Sequence, residues 1–371
     1  MSARAGFVPA GLTRLPWAVL SVTFLIGGFG LLVLYSAAGG SIHPWAQSQG
    51  IKFVVFLVAA AALSRVPERV WREGALPAYS GLVVLLVVVE LLGKVSGGSQ
   101  RWLNLGVINL QPSELMKPAI VLAMARFYDM LPPTETRALR SLIPAGLLIG
   151  VPAALIMLQP DLGTALMVSA GGITIMFLAG VPLRLFAGAA IAAPVIGTLA
   201  YKFALHEYQR HRIAIFLNPE SDPLGTGYHI SQSKIAIGSG GFWGKGFLHG
   251  TQSHLQYLPE GHTDFALATM MEEWGFVGGC LLILAFMLIV RWGVRASMKA
   301  PTRFSRLAAA GLATTIFFYF AINMAMVMGL APVVGVPLPL ISFGGSAQMT
   351  VLLCLGILMS IDRHGNERER W

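Results

Sequence analysis

Charge is what this sequence has least of. Asp, Glu, Lys and Arg make up 12% of its 371 residues, where a soluble domain carries roughly 25%. With 55% hydrophobic residues and a mean hydropathy of +0.69, the chain has too little polar surface to cover a core in water, and the bilayer must be its solvent. Cysteine is almost absent. Cys280 and Cys354 both lie in apolar runs, which excludes a disulfide framework or a cysteine metal site and leaves two small buried apolar residues. Internal repeats and low-complexity tails are lacking too, and no stretch is polar enough for a separate soluble domain. The expectation is one polytopic membrane domain over residues 1–371.

What the chain does have is apolar length. Windows of about 20 apolar residues pick out ten helices, at 17–38, 50–64, 76–93, 112–131, 142–158, 162–180, 182–203, 264–290, 305–330 and 346–361. This is an all-α integral membrane protein. The first run follows Arg4 and Arg14, but it is too long for a signal peptide and lacks a small-residue cleavage site, so it reads as a retained helix. With the N-terminus inside, the inner segments collect most of the 26 basic residues, among them Arg65, Arg72, Arg126, Arg140, Arg291, Arg295 and Arg370. Both termini are therefore expected in the cytoplasm. The net charge of +9 records this topology and calls for no nucleic acid.

The outer segment 204–263 exceeds the roughly 12–15 residues beyond which connections are functional or disordered. Its aromatics and apolar pairs argue for order. Helical spacing in "HISQSKIAIG" reads as a short amphipathic helix on the membrane face, and the glycines from Gly238 to Gly250 read as a tight loop with exposed backbone. Arg210, Arg212, Lys234 and Lys245 either meet lipid phosphates generally or hold one pyrophosphate beside that loop. His229, His249, His254 and His262 show no metal-ligand spacing. The last outer segment, "NMAMVMGLAPVVGVPLPLISFGGS", is studded with Pro and Gly, and at membrane depth such backbone must be buried in protein or line a cavity.

Acids mark the ends of several runs. Asp264 precedes the eighth helix, as either a plain N-cap or a reactive carboxylate. At 100° per residue Glu272 lies about 80° from Asp264 and Glu273 about 180° away, some 12–14 Å along the axis. They cannot form a dyad with Asp264, and read as buried structural partners or an inner cavity lining. Glu114 and Lys117 share a helix face at i,i+3, as an ion pair or as a cavity wall. In "LQPDLGTA", Gln159, Asp161 and Thr164 form a tight turn with Asp161 placed as cap or site. Transporters carry charges near the midplane at broken helices. Here the charges gather at outer helix ends, which tilts the reading toward chemistry on an amphiphilic substrate from the outer leaflet.

"QPDLGTA" (159–165), "FLNPESDPLGTGYHISQSKIAIGSGGFWGKG" (216–246), "GTQSHLQYLPEGHTDFALATMMEEWG" (250–275) and the Pro/Gly-rich segment 323–346 resemble the SEDS proteins (shape, elongation, division and sporulation). The resemblance runs along nearly the whole chain in the same order, and "FLNPESDP" with short tails is closer to the elongation branch than to the division branch. It implies a peptidoglycan glycosyltransferase of the bacterial cytoplasmic membrane, with its site facing outward. Such an enzyme polymerises lipid II through β-1,4 linkages, releases undecaprenyl pyrophosphate and serves elongation and rod shape. On this resemblance Asp264 is the essential acid of a Pro-Glu-x-His-Thr-Asp-Phe motif. Glu114, Lys117 and Asp161 line the cavity, and Gln159, Arg210, Lys245, His262 and Thr263 are further substrate contacts. In "DFALATMMEEWG", Ala and Leu stand where the family often has Ile and Phe, a change in packing. The loop 204–263 is expected to contribute to the site.

The bond to be made sets the roles. Asp264 would take the proton from an acceptor 4-hydroxyl, or orient it. Arg210, Lys245 and Lys117 would neutralise the leaving pyrophosphate, with a divalent cation (Mg or Mn) left open as an added counter-charge. The implied partners are lipid II, a class B penicillin-binding transpeptidase, elongation-complex proteins and membrane lipid. Two rival readings remain: a lipid II flippase, and a non-catalytic activator of the transpeptidase.

Overall fold

Apolar runs bounded by charge, Pro or Gly become helices close to where the sequence places them. The computed structural model describes residues 15–368 apart from 93, 97–98, 105–108, 133, 204–206, 219–221, 223–224, 256 and 259. Arg4, Arg14, Pro259 and Arg370 lie outside the described residues. In chain order the elements are α1 (Trp17–Ala37), α2 (Trp45–Leu63), α3 (Glu68–Leu92), β1 (Lys94–Ser96), β2 (Ser99–Asn104), β3 (Asn109–Leu110), α4 (Pro112–Met130), α5 (Leu139–Leu158), α6 (Leu162–Ala179) and α7 (Leu183–Phe203). They continue with α8 (Glu207–Leu217), α9 (Thr226–Gly240), α10 (Thr251–His254), α11 (Ala266–Lys299), α12 (Arg303–Val327) and α13 (Gly345–Arg368).

Among the described residues nine helices, α1–α3, α5–α7 and α11–α13, are long and apolar enough to cross a membrane. The tenth long helix, α4, fails that test for a physical reason. Of its 19 residues 14 are buried, because α3, α5, α6, α12 and α13 pack around it. Protein, not lipid, is its solvent, so it tolerates Glu114 and Lys117. α7 is the opposite case: nothing in its most apolar window is buried. Large apolar side chains stand exposed there and on α1, among them Ile191, Phe24 and Leu25, as lipid-facing surface requires.

Three features differ from the sequence reading. The segment between α3 and α4 forms a small antiparallel sheet of order β1-β2-β3, so the fold is nearly all-helical rather than wholly so. Cys354 is buried as expected, but Cys280 is exposed on α11, where a small apolar thiol suits a lipid-facing position. The eighth span is longer than expected and is not continuous: Gly275 breaks α11 with φ 62° and ψ −163°.

That break is filled from the segment between α7 and α11. The turn after α9 inserts its backbone into the gap, with Lys245 N–H donating to Glu272 O (3.0 Å) and Gly246 N–H to Glu273 O (3.0 Å). Across the break, Phe276 N–H donates to Gly241 O (3.0 Å) and Val277 N–H to Phe242 O (3.2 Å). Backbone groups freed at membrane depth must find partners in protein, and four of them do so here. The approach requires glycine: a Cβ on Gly275 would lie 2.3 Å from Gly244 N, and one on Gly240 would lie 2.1 Å from Met271 O.

Around the end of α4, basic residues tie neighbouring elements together. Arg303 donates to the carbonyl of Leu131 (2.8 Å), and Arg72 and Arg126 both pair with Asp129.

Candidate active site

Asp264 sits in a turn that its own residues build. Thr263 N–H (3.0 Å) and Phe265 N–H (3.2 Å) donate to Glu260 O, the Thr263 hydroxyl donates to the Glu260 carboxylate, and Thr269 Oγ1 donates to Gly261 O at 3.1 Å. Glu260 occupies the left-handed region at φ 54°, where a non-glycine residue stores strain. Helix α11 starts after Phe265, with no side-chain cap. The capping role left open for Asp264 is therefore not used, and no described residue hydrogen-bonds its carboxylate.

The main chain of Asp264 is held firmly instead. Asn323 Nδ2 on α12 donates to Asp264 O at 3.0 Å and to Val336 O at 2.8 Å, pinning the turn to the Pro/Gly-rich segment before α13. Gly335 (φ 71°) lies beside the carboxylate, its would-be Cβ 3.6 Å from Oδ2. Burial pushes the Asp264 carboxyl from its ordinary 3.8 up to about 6. The charges of Glu260 and Asp161 add to that rise and Arg212 opposes it, all within the value of about 6. Those three charges are the electrostatic neighbourhood of Asp264.

Asp161, unlike Asp264, is a cap. Its Oδ1 accepts Thr164 N–H at 3.1 Å at the start of α6, and its Oδ2 accepts Gln111 Nε2 at 3.1 Å. Gln159 beside it is committed as well: its amide donates to Leu86 O at 3.0 Å, and Arg101 of β2 donates to its carbonyl at 2.8 Å. The small β1-β2-β3 sheet thus clamps the α5–α6 turn.

Glu114 and Lys117 form a closed triad with Tyr319. Lys117 Nζ donates to Glu114 Oε1 (2.5 Å) and Tyr319 Oη (2.9 Å), and Tyr319 donates in turn to Glu114 Oε2. The ammonium also lies 4.3 Å from the Tyr319 ring centroid, and all three residues are buried. Tyr319 and Asn323 are i,i+4 on α12, so the triad lies about 6 Å along the same helix face from the bracket that holds Asp264.

The remaining sequence-derived residues divide by partner. His262 stacks on Trp45 at 3.9 Å between ring centroids and its carbonyl accepts Phe343 N–H at 2.8 Å; burial lowers its pKa, so it is neutral at pH 7. Lys245 Nζ donates to Glu272 Oε1 (2.6 Å) and Thr251 Oγ1 (2.8 Å). Glu273 accepts from Ser36 and lies 3.7 Å from His254 Nε2. Glu272 and Glu273 are thus the buried structural partners that their helix phases suggested, holding the 245–254 segment down. The same pairings spend the glycine loop's backbone on α11, and leave less of it for an anion.

Arg210 donates to Lys202 O at 2.9 Å, toward α7, while Arg212 faces the Asp264 neighbourhood and donates no hydrogen bond to a described residue. Two positions apart on α8 means about 200° of rotation, so the two arginines leave the helix on opposite faces. The sequence names Arg210 and Arg212 together as cations of this segment and carries Arg210 into the site; it does not single out Asn323 or Tyr319. The signal for the last two was polar residues four apart inside an apolar span. No group of three or more His, Cys, Asp or Glu able to hold a metal occurs among the described residues.

The chain matches the family model described as a cell cycle protein, FtsW/RodA/SpoVE, over residues 16–367. It is 44% identical over 338 residues to the peptidoglycan glycosyltransferase MrdB of Escherichia coli K12, covering 91% of this chain and 90% of that protein. It is 36% identical over 363 residues to a probable peptidoglycan glycosyltransferase FtsW of Trichlorobacter lovleyi, covering 95% and 94%. Among solved structures, a chain from a peptidoglycan synthase complex that coordinates polymerization and crosslinking superposes with a TM-score of 0.81 at 31% identity, covering 95% of this chain and 98% of that one. The crystal structure of Thermus thermophilus rod shape determining protein RodA superposes with a TM-score of 0.71 at 26% identity, covering 94% and 97%.

Proposed function

This chain belongs to the SEDS family, the FtsW, RodA and SpoVE cell cycle proteins, and from that premise we propose how it acts as a peptidoglycan glycosyltransferase, with Asp264 as the base that activates the acceptor sugar. The protein is a multi-pass membrane protein. The membrane is the bacterial cytoplasmic membrane, with both termini inside and Asp264 facing out, as the distribution of Lys and Arg favours.

One observation carries the reading: among the acids singled out from the sequence, Asp264 alone has a carboxylate with no hydrogen-bond partner among the described residues. Asp161 caps a helix, Glu114 is tied to Lys117 and Tyr319, and Glu272 and Glu273 hold the outer segment. In the step proposed, the 4-hydroxyl of the acceptor GlcNAc attacks MurNAc C1 of the α-linked lipid II donor. The O4–C1 bond forms, the C1–O bond to pyrophosphate breaks, and the hydroxyl proton passes to Asp264. Configuration inverts to the β-1,4 link, and undecaprenyl pyrophosphate leaves with its electron pair. Arg212, whose guanidinium donates no hydrogen bond to a described residue, stabilises that charge. Lys245 is the lesser contributor because Glu272 already offsets its charge.

Glu114 and Lys117 serve substrate binding indirectly, by fixing the first turn of α4 from which Gln111 holds Asp161. His262, Thr263 and Gln159 shape the walls. The loop 204–263 contributes Arg212 and the turn at Asp264. A class B transpeptidase is the partner that the likeness to the synthase complex favours. No step is routed through a metal.

Purified protein incubated with labelled lipid II, with and without that partner, tests the activity. Glycan polymer formed by the wild type and lost in Asp264→Ala is the expected result. Transfer of lipid II between leaflets with no polymer at any condition would instead establish a flippase.

A further inference from the structure

Where α1 begins and α11 ends, the two helices pack together but leave a groove of about 360 Å³, lined by Val19, Val22, Ile289 and Trp292 and edged by Arg291 and Arg295. That volume falls within the roughly 300–1,000 Å³ of small-molecule sites. Arg291 and Arg295 are one turn apart on one helix face and exposed, and neither makes a hydrogen bond or ion pair with a described residue. Arg72 and Arg126, by contrast, pair with Asp129, and Arg303 donates to the main-chain carbonyl of Leu131. Arg295 lies about 6 Å and Arg291 about 12 Å from the end of α11, while Val19 and Val22 sit in the first two turns of α1. Apolar floor, two guanidinium groups with no hydrogen-bond partner among the described residues and a half-buried Trp therefore meet at the depth where lipid headgroups join their chains.

We propose that this groove between α1 and α11 is a binding site for an anionic phospholipid of the inner leaflet. One acyl chain would lie along Val19, Val22 and Ile289, with the headgroup phosphate held between Arg291 and Arg295. The chemistry selects this occupant. A zwitterionic lipid carries its own cation into a doubly cationic rim, a free phosphate leaves the apolar floor bare, and no acid lines the groove to neutralise the arginines from within. Basic pockets between spans on the cytoplasmic side suit anionic headgroups, at about 1 kcal/mol for each Lys or Arg near the surface. Two arginines correspond to roughly 30-fold in affinity, about 2 kcal/mol.

The test is native mass spectrometry of the full chain in detergent, titrated with dioleoyl phosphatidylglycerol or dioleoyl phosphatidylcholine, with inorganic phosphate as a separate arm. Phosphatidylglycerol is expected to be retained roughly 30-fold more tightly, and the difference to collapse in Arg291→Gln/Arg295→Gln. Val22→Trp, which fills the groove with both arginines intact, should weaken both lipids. Equal retention of the two lipids by the wild type overturns the proposal and needs no variant to fold. So does undiminished phosphatidylglycerol binding in Val22→Trp, or phosphate competing as well as the lipid.

Discussion

Burial and Glu260 hold the Asp264 carboxyl at about 6, close enough to working pH for a base that must both accept and release a proton. The base is ionised above that value, so the polymerisation rate should rise with pH through an acid limb near 6, measured as the single-turnover rate on lipid II between pH 5 and 8. A profile flat across that range would remove Asp264 from the role. The same shift has a stability sign. A carboxyl whose pKa is raised from 3.8 to about 6 on folding weakens the folded state as pH rises from about 4 to 6, because the unfolded chain ionises first. Asp264→Asn is therefore expected to melt higher than wild type at pH 7.5, with the gain vanishing near pH 4. On α8, Arg212→Gln should slow polymerisation by about 10²-fold, the low end of what one charge-stabilising contact supplies. Arg210→Gln, 200° away, should have a much smaller effect on the rate.

Helices set the next scale, and α11 is the one whose break has a purpose. Gly275→Ala places a Cβ against Gly244 and imposes a left-handed φ on a residue that resists it. The outer turn should come out of the helix, at a cost of a few kcal/mol, visible as new protease sensitivity between 241 and 255. Gly238→Ala is the matched control. It lies in the same outer segment with nothing within 4 Å of its would-be Cβ and no positive φ, and should be neutral or slightly stabilising. On α12, Tyr319→Phe leaves the buried Glu114 one donor short, which should cost about 1–3 kcal/mol in thermal or denaturant unfolding, with the slope of polymerisation against pH unchanged.

At the scale of the whole molecule, much of the architecture was legible from hydropathy. Ten apolar runs became ten long helices, because in lipid the backbone has few other ways to satisfy itself. Asp264 was legible as the acid at a helix entrance, and the geometry of α11 separated it from Glu272 and Glu273. What stayed hidden depended on tertiary neighbours. Gly275 looks no different in sequence from Gly278 or Gly279; only the arrival of Gly240 and Gly244 makes it the break. Arg210 and Arg212 differ by a rotation that cannot be assigned until α8 is seen against Asp264. Tyr319 and Asn323 read as stray polar residues until α4 and the Pro/Gly-rich segment pack against them. Asp264→Asn isolates the uncommitted carboxylate, since asparagine keeps the size and removes the base. With lipid II binding verified as intact, the polymerisation rate of Asp264→Asn should fall by about 10²–10⁴-fold; a rate within a few-fold of wild type would contradict the account.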